Sequence, residues 1–123
     1  MLVKEVMKKP IVVEHELTLE QASKIMSKNK ISSLLVVEKE KVKGIITQKD
    51  LVDNFGNKMM VSQIMSKNVV SVREDDKTSK AINLIKKNKV SILPVLDYED
   101  KLVGVVHVKD LLNENGGDDF LLD

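Results

Sequence analysis

Thr47-Gln48-Lys49-Asp50 and His107-Val108-Lys109-Asp110 are the two places in this chain where polar side chains stand together at a spacing that could do chemistry. In the first, a hydroxyl and a carboxylate lie three residues apart. That is the spacing of a capping box, in which the Thr47 hydroxyl accepts from the backbone N–H of Asp50 and the helix macrodipole favours the Asp50 charge. It is also a spacing that offers two carboxylate oxygens to a vicinal diol such as that of a ribose, with the N–H groups of a helix start able to meet a phosphate or carboxylate. The two readings are compatible, and both stay open. In the second tetrad His107 stands where the hydroxyl would be. Histidine is a poor N-cap, so capping accounts less well for Asp110. His107 reads either as a hydrogen-bonded structural imidazole or as a phosphate contact that titrates near neutrality.

Neither tetrad contains a nucleophile-base-acid set. The five glycines form no Gly-x-x-x-x-Gly-Lys loop and no Gly-x-Gly-x-x-Gly turn, so no catalytic residue is assigned and an enzyme is not expected. With no cysteine, and two histidines in different halves of the chain, neither a metal site nor a resident cofactor is expected.

The tetrads belong to a longer repeat. Gly44-Ile45-Ile46-Thr47-Gln48-Lys49-Asp50-Leu51 returns 60 positions later as Gly104-Val105-Val106-His107-Val108-Lys109-Asp110-Leu111, from Gly44 to Gly104. Val61-Ser62-Gln63-Ile64-Met65 echoes Val3-Lys4-Glu5-Val6-Met7, Ala81 echoes Ala22, and Asn88-Lys89-Val90-Ser91 echoes Asn29-Lys30-Ile31-Ser32. Each copy reads as a short helical turn, a β-branched strand (Ile11 to Val13; Val69 to Val72), and an amphipathic helix behind Thr18 or Thr78 as N-cap. A hairpin follows (Leu34 to Glu38 with Lys41 to Thr47; Leu93 to Leu96 with Lys101 to Val106), then a helix opening at Lys-Asp-Leu. The order is β-α-β-β-α, twice, with repeats at 1–58 and 59–115 and an acidic tail at 116–123. Gly56 suits a left-handed C-cap for the first closing helix, and the second is expected to stop near Asn115-Gly116-Gly117. Met7, Met26, Met59, Met60 and Met65 read as flexible core fillers.

Charge narrows the partners. The 20 basic and 19 acidic residues leave +1 overall, which argues against a general polyanion binder. Residues 1–58 carry 11 basic and 8 acidic groups (+3) and residues 59–123 carry 9 and 11 (−2), so the halves differ little. Nucleic acid is not an expected partner. No apolar run of about 18 residues and no leader sequence is present, so a cytoplasmic protein without a membrane span is expected.

The repeated order of Val-x-x-Val-Met-x-x-Pro-Ile-Val-Val, Ile-Met-x-x-Asn-Val-Val-x-Val, Val90-Ser91-Ile92-Leu93-Pro94-Val95 and the paired Gly-x-x-x-x-Lys-Asp-Leu segments resembles the cystathionine β-synthase (CBS) domain, here as a stand-alone tandem pair or Bateman module. The resemblance covers residues 3–114. It implies an α/β (α+β) fold of two repeats packed about a pseudo-two-fold axis, each with a small three-stranded sheet. It further implies two clefts between the sheets that take an adenosine-containing ligand such as AMP, ADP, ATP or S-adenosylmethionine, with occupancy signalled to an effector protein, and a homodimer. Carried over residue by residue, it assigns ribose and phosphate contacts to Thr47, Lys49 and Asp50 and to His107, Lys109 and Asp110. It assigns adenine contacts to Ile11, Val12, Ile31, Ser32 and Ser33, and to Val69, Val70, Val90, Ser91 and Ile92, whose aliphatics core packing explains equally well. The family's arginine near Ser33 or Ile92 is absent, and Lys49 and Lys109 are the candidates to replace it. The intact Thr-x-x-Asp predicts that the Thr47 site binds first and the His107 site more weakly. The rival readings are a ligand-free scaffold and, further off, a nucleic-acid-binding regulator.

Overall fold

The computed structural model describes residues 1–114; the expected helix stop near Asn115 and the tail 116–123 lie outside them. In chain order the elements are α1 (Val3–Val6), β1 (Val12–Glu14), α2 (Leu19–Asn29), β2 (Ser33–Glu38), β3 (Lys41–Thr47), α3 (Gln48–Asp53), α4 (Val61–Ile64), β4 (Val72–Arg73), α5 (Thr78–Asn88), β5 (Ile92–Leu96), β6 (Leu102–His107) and α6 (Val108–Glu114). They form two three-stranded sheets, ordered β1-β2-β3 and β4-β5-β6, in a mixed α/β fold.

The compact units are cut differently from the sequence repeat. One is Ile11–Val69; the other joins Met1–Pro10 to the chain from Val70 onward. Thus α1, which opens the first repeat, packs with the second repeat's elements, and α4 packs with the first's. Backbone hydrogen bonds fix this: Val3 N donates to Asp76 O at 2.8 Å and Val61 N to Leu17 O at 2.8 Å.

In the unit Ile11–Val69, Thr18 caps α2 by accepting from Gln21 N at 3.2 Å while the Gln21 side chain accepts from Thr18 N at 3.0 Å. Leu19, Ala22 and Met26 then fall on one face and are buried, with Lys24 and Lys28 exposed on the other. Their face meets Val13, Leu34, Val36, Ile46 and Val61. Strand β2 is central, parallel to β1 and antiparallel to β3, and buries Leu34, Leu35, Val36 and Val37 in succession, the mark of a strand covered on both faces. In the other unit β5 has the same place between β4 and β6, and Val3, Val6, Ala81, Ile85, Leu93, Val95, Val106 and Leu111 form the core.

Three expectations need correction. Helix α5 starts at Thr78, with Lys77 as N-cap and no side-chain cap bond, and Thr78 is buried. Aligning Ala81 with Ala22 shows why: Lys77, not Thr78, corresponds to Thr18. The opening strands start later than their apolar runs, β1 at Val12 and β4 at Val72, and β4 is also shorter, because it pairs with β5 only at Val72↔Val95 and Arg73↔Leu96. Met60 is 43% exposed, although Met59 beside it packs on the core. Both long helices end on a lysine in the left-handed region, Lys30 at φ 54° and Lys89 at φ 53°. Among the described residues no helix is long and apolar enough to cross a membrane.

Candidate functional site

Each sheet delivers its tetrad to the end of the hairpin's second strand. Strand β3 runs into α3 at Thr47, and the register sets Thr47 opposite Ser33. Gln48 N donates to Ser32 O at 3.1 Å, so the start of α3 is tied to the segment that precedes β2. Thr47, Asp50, Ile31, Ser32 and Ser33 therefore share one corner of the unit. There Asp50 Oδ2 accepts from Thr47 N at 2.8 Å and from Thr47 Oγ1 at 3.1 Å, while Asp50 N donates to Thr47 Oγ1 at 3.4 Å. The capping box is formed, and it uses one carboxylate oxygen. Oδ1 of Asp50 makes no hydrogen bond among the described residues, so an acceptor remains for a ligand without loss of the cap.

The second corner is built alike and furnished differently. Strand β6 runs into α6 at His107, which pairs with Ile92, and Val108 N donates to Ser91 O at 2.9 Å. No hydrogen bond among the described residues joins His107 to Asp110. Instead Lys8 Nζ lies 3.3 Å from Asp110 Oδ1, and Asp110 Oδ2 is buried without a partner. Burial pushes the His107 pKa below its ordinary 6.5, opposed by Asp110 and reinforced by Lys109 and Lys8. Without a ligand, the burial favours the neutral imidazole.

The remaining candidates divide by exposure. Ile11 and Val12 are 39% and 37% exposed, too open to be core and apolar enough to meet a flat ring. Ser32 is exposed and Ser33 partly buried, whereas Ile31, Val70 and Val90 pack against their cores. Ile92 is buried at 7% and offers a ligand little side chain. Val69 and Val70 are partly buried and straddle the boundary of the two units, in contrast to Ile11 and Val12. The Lys49 ammonium pairs with Asp53 Oδ2 at 2.7 Å one turn on, which, with a smaller contribution from the Asp50 charge, raises its pKa and gives it another partner than a phosphate. Lys109 is exposed.

Two hollows open in the unit Ile11–Val69. The smaller, about 470 Å³, includes Met26, Ile31, Ser32, Gln48 and Leu51 in its wall. The larger, about 630 Å³, lies between α2 and the end of α3 at Leu19, Leu51, Asn54 and Phe55 and does not include Thr47 or Asp50. Lys8 was not among the candidates. Its place opposite Ser66 in the repeat is legible, but its approach to Asp110 follows from the packing of Met1–Pro10 with the later chain.

Residues 3–57 and 61–117 each match the family model of the CBS domain. The chain is 35% identical over 108 residues to the inosine-5′-monophosphate dehydrogenase of Methanocaldococcus jannaschii, covering 87% of this chain and 22% of that protein. It is 32% identical over 119 residues to the L-aspartate semialdehyde sulfurtransferase of the same organism, covering 94% and 23%. It thus spans less than a quarter of the length of either relative. Among solved structures it is similar to the CBS domain pair of protein MJ0100 in complex with 5′-methylthioadenosine and S-adenosyl-L-methionine, at 32% identity and TM-score 0.84, covering 95% of this chain and 97% of that one. It is also similar to the cytosolic domain of the Mg2+ channel MgtE in complex with ATP, at 28% identity and TM-score 0.79, covering 89% and 46%.

Proposed function

The chain belongs to the CBS domain family, and we propose that its two copies form a regulatory module that binds an adenosine-containing ligand at their strand-to-helix turns and reports occupancy to an effector partner. The observation that carries this reading is Asp50, held by its own cap through Oδ2 with Oδ1 left to accept. Ser32 and Ser33 share its corner, and the exposed aliphatics Ile11 and Val12 lie on the other side of β2 in the same sheet, a set that suits a ribose and a base edge. The ligands of the MJ0100 pair support an adenosyl compound, and those of the MgtE domain add ATP to the candidates. On this reading the module is a cytoplasmic regulator rather than a catalyst.

Calorimetry with AMP, ADP, ATP, 5′-methylthioadenosine and S-adenosylmethionine tests the reading. Loss of one hydrogen bond to a charged group corresponds to roughly 1.5–3 kcal/mol, so Asp50→Ala should weaken the first site by about ten- to a hundredfold. If wild type binds none of these compounds, or Asp50→Ala binds them as wild type does, the assignment is wrong. A homodimer is part of the same proposal, and one observation favours it independently of ligand. Val52 and Phe55, on and just past α3, are 73% and 91% exposed beside the larger hollow. A ligand-free scaffold would keep the dimer and fail the calorimetry.

A further inference from the structure

Equivalent positions of the two repeats carry different chemistry at Lys8 and Ser66. Ser66 exchanges paired backbone hydrogen bonds with Ile45, both 3.0 Å; Lys8 does the same with Val105, at 2.8 and 2.9 Å. The two residues therefore hold the same place beside their sheets. At that place a serine side chain ends after one carbon and cannot reach as far as a lysine does, and Asp50 is held by Thr47 instead. In the other unit, where His107 has displaced the hydroxyl, Lys8 reaches the carboxylate with Nζ 3.3 Å from Oδ1. The pair is lopsided: the Lys8 side chain is 61% exposed and that of Asp110 12%. The ammonium keeps N–H donors for a further acceptor, and the buried Asp110 Oδ2 has no donor among the described residues. An unpartnered buried carboxylate oxygen is costly to maintain, which points to a donor that arrives from outside.

We propose that Lys8 is a selectivity residue of the second site: Asp110 Oδ2 accepts a ligand hydroxyl while Lys8 Nζ donates to an anionic group of the same ligand. This site then favours an adenosine nucleotide carrying a phosphate over a neutral adenosyl compound. The inference rests on the reading that an adenosyl ligand binds beside Asp110. The electrostatics run the same way. Alone, the Asp110 charge would repel a phosphate; paired with Lys8 it does not, and Lys8 has donors to spare. At the first site Ser66 stands in the place of Lys8, and the Lys49 ammonium, which also feels the Asp50 charge, is paired with Asp53.

The test is calorimetry on the full chain in an Asp50→Ala background, which leaves the second site to be read, with AMP and adenosine as paired probes. Lys8→Ser should weaken AMP by about ten- to a hundredfold and leave adenosine within about twofold, so that the AMP-to-adenosine preference collapses. Lys8→Arg should keep the preference. Lys8→Met, which retains the aliphatic stem and drops the charge, replaces Lys8→Ser should that variant fail to fold. A merely structural Lys8 would move both ligands by the same factor, and that result, or unchanged AMP binding, overturns the proposal while leaving the adenosyl reading intact. If neither compound binds even the unmutated chain, the adenosyl reading falls and this inference with it.

Discussion

Adding a single methyl group at Gly44 or Gly104 should separate two effects that the repeat makes look alike. A Cβ at Gly44 would lie 2.5 Å from Met65 Sδ, 2.6 Å from Met65 Cγ and 2.8 Å from the backbone oxygen of Ser66. At Gly104 its three nearest neighbours would all belong to the Met7 side chain, Sδ at 2.6 Å, Cγ at 2.9 Å and Cβ at 3.1 Å, with no backbone atom closer than these. Methionine can rotate away at modest cost. The Ser66 carbonyl cannot, since the paired 3.0 Å bonds with Ile45 hold that backbone against β3. Overpacking costs about 1–3 kcal/mol, and Gly→Ala returns about 0.4–1 kcal/mol through the unfolded chain. Gly44→Ala should therefore destabilise by about 2 kcal/mol and Gly104→Ala by about 1 kcal/mol or less. At roughly 4 °C per kcal/mol for a chain of this size, thermal melts should fall by about 8 °C and 4 °C. Met7→Ala in the Gly104→Ala background should recover most of the strain, whereas Met65→Ala with Gly44→Ala should recover only part. Equal losses at the two glycines, or a larger loss at Gly104, would refute the argument that the fixed carbonyl decides the cost.

His107 gives a pH prediction with a definite sign. Its folded pKa lies below 6.5, so the unfolded chain binds the proton more readily, and stability should fall as pH drops below about 6.5. Melts from pH 7.5 to 5 should show the wild type losing more than His107→Asn, and parallel curves would refute a pKa lowered by partial burial. For assembly, light scattering should find twice the 13.8 kDa chain mass at micromolar concentration, and Val52→Ser with Phe55→Ser should return the monomer. A wild type that already runs at the monomer mass would exclude the dimer.

Local signals carried much of the fold. Strand β3 runs over Lys41–Thr47 as its alternation and turn signals predict, α2 begins behind Thr18 with the expected cap, and the Thr47–Asp50 box is formed. The two small three-stranded sheets are those that the family resemblance implies. What failed to show depends on contacts distant in sequence. Nothing local to Met1–Pro10 says that it packs with the chain from Val70 rather than with the strand it precedes. Lys8 was invisible as a site residue for that reason, since Asp110 is 102 positions away (110 − 8). Lys49 shows the opposite difficulty. It sits inside the motif, yet an i,i+4 carboxylate at Asp53 competes for it on an exposed helix, a pairing that spacing alone could have suggested.

The sequence ranks the Thr47 site ahead of the His107 site because only the first keeps its hydroxyl, and this ranking assumes that the hydroxyl and carboxylate are all that matters. The structure changes the premise. Thr47 is committed to the cap, both accepting from Asp50 N and donating to Oδ2, so its hydroxyl chiefly orients Asp50. Losing that hydroxyl at position 107 removes an orienting group, and the ionic contact with Lys8 supplies another, with a positive charge where the first repeat has Ser66. On the Lys8 proposal the order of filling then depends on the ligand. A neutral or cationic adenosyl compound gains nothing from Lys8 and should favour the Thr47 site, whereas each negative charge on a nucleotide shifts the balance toward the His107 site. Added salt should erode that shift in part, because the Lys8 ammonium is exposed to screening. On that proposal, two differences between the repeats, at 107 and at the position shared by Lys8 and Ser66, would be sufficient for the two sites to answer to different ligand charge.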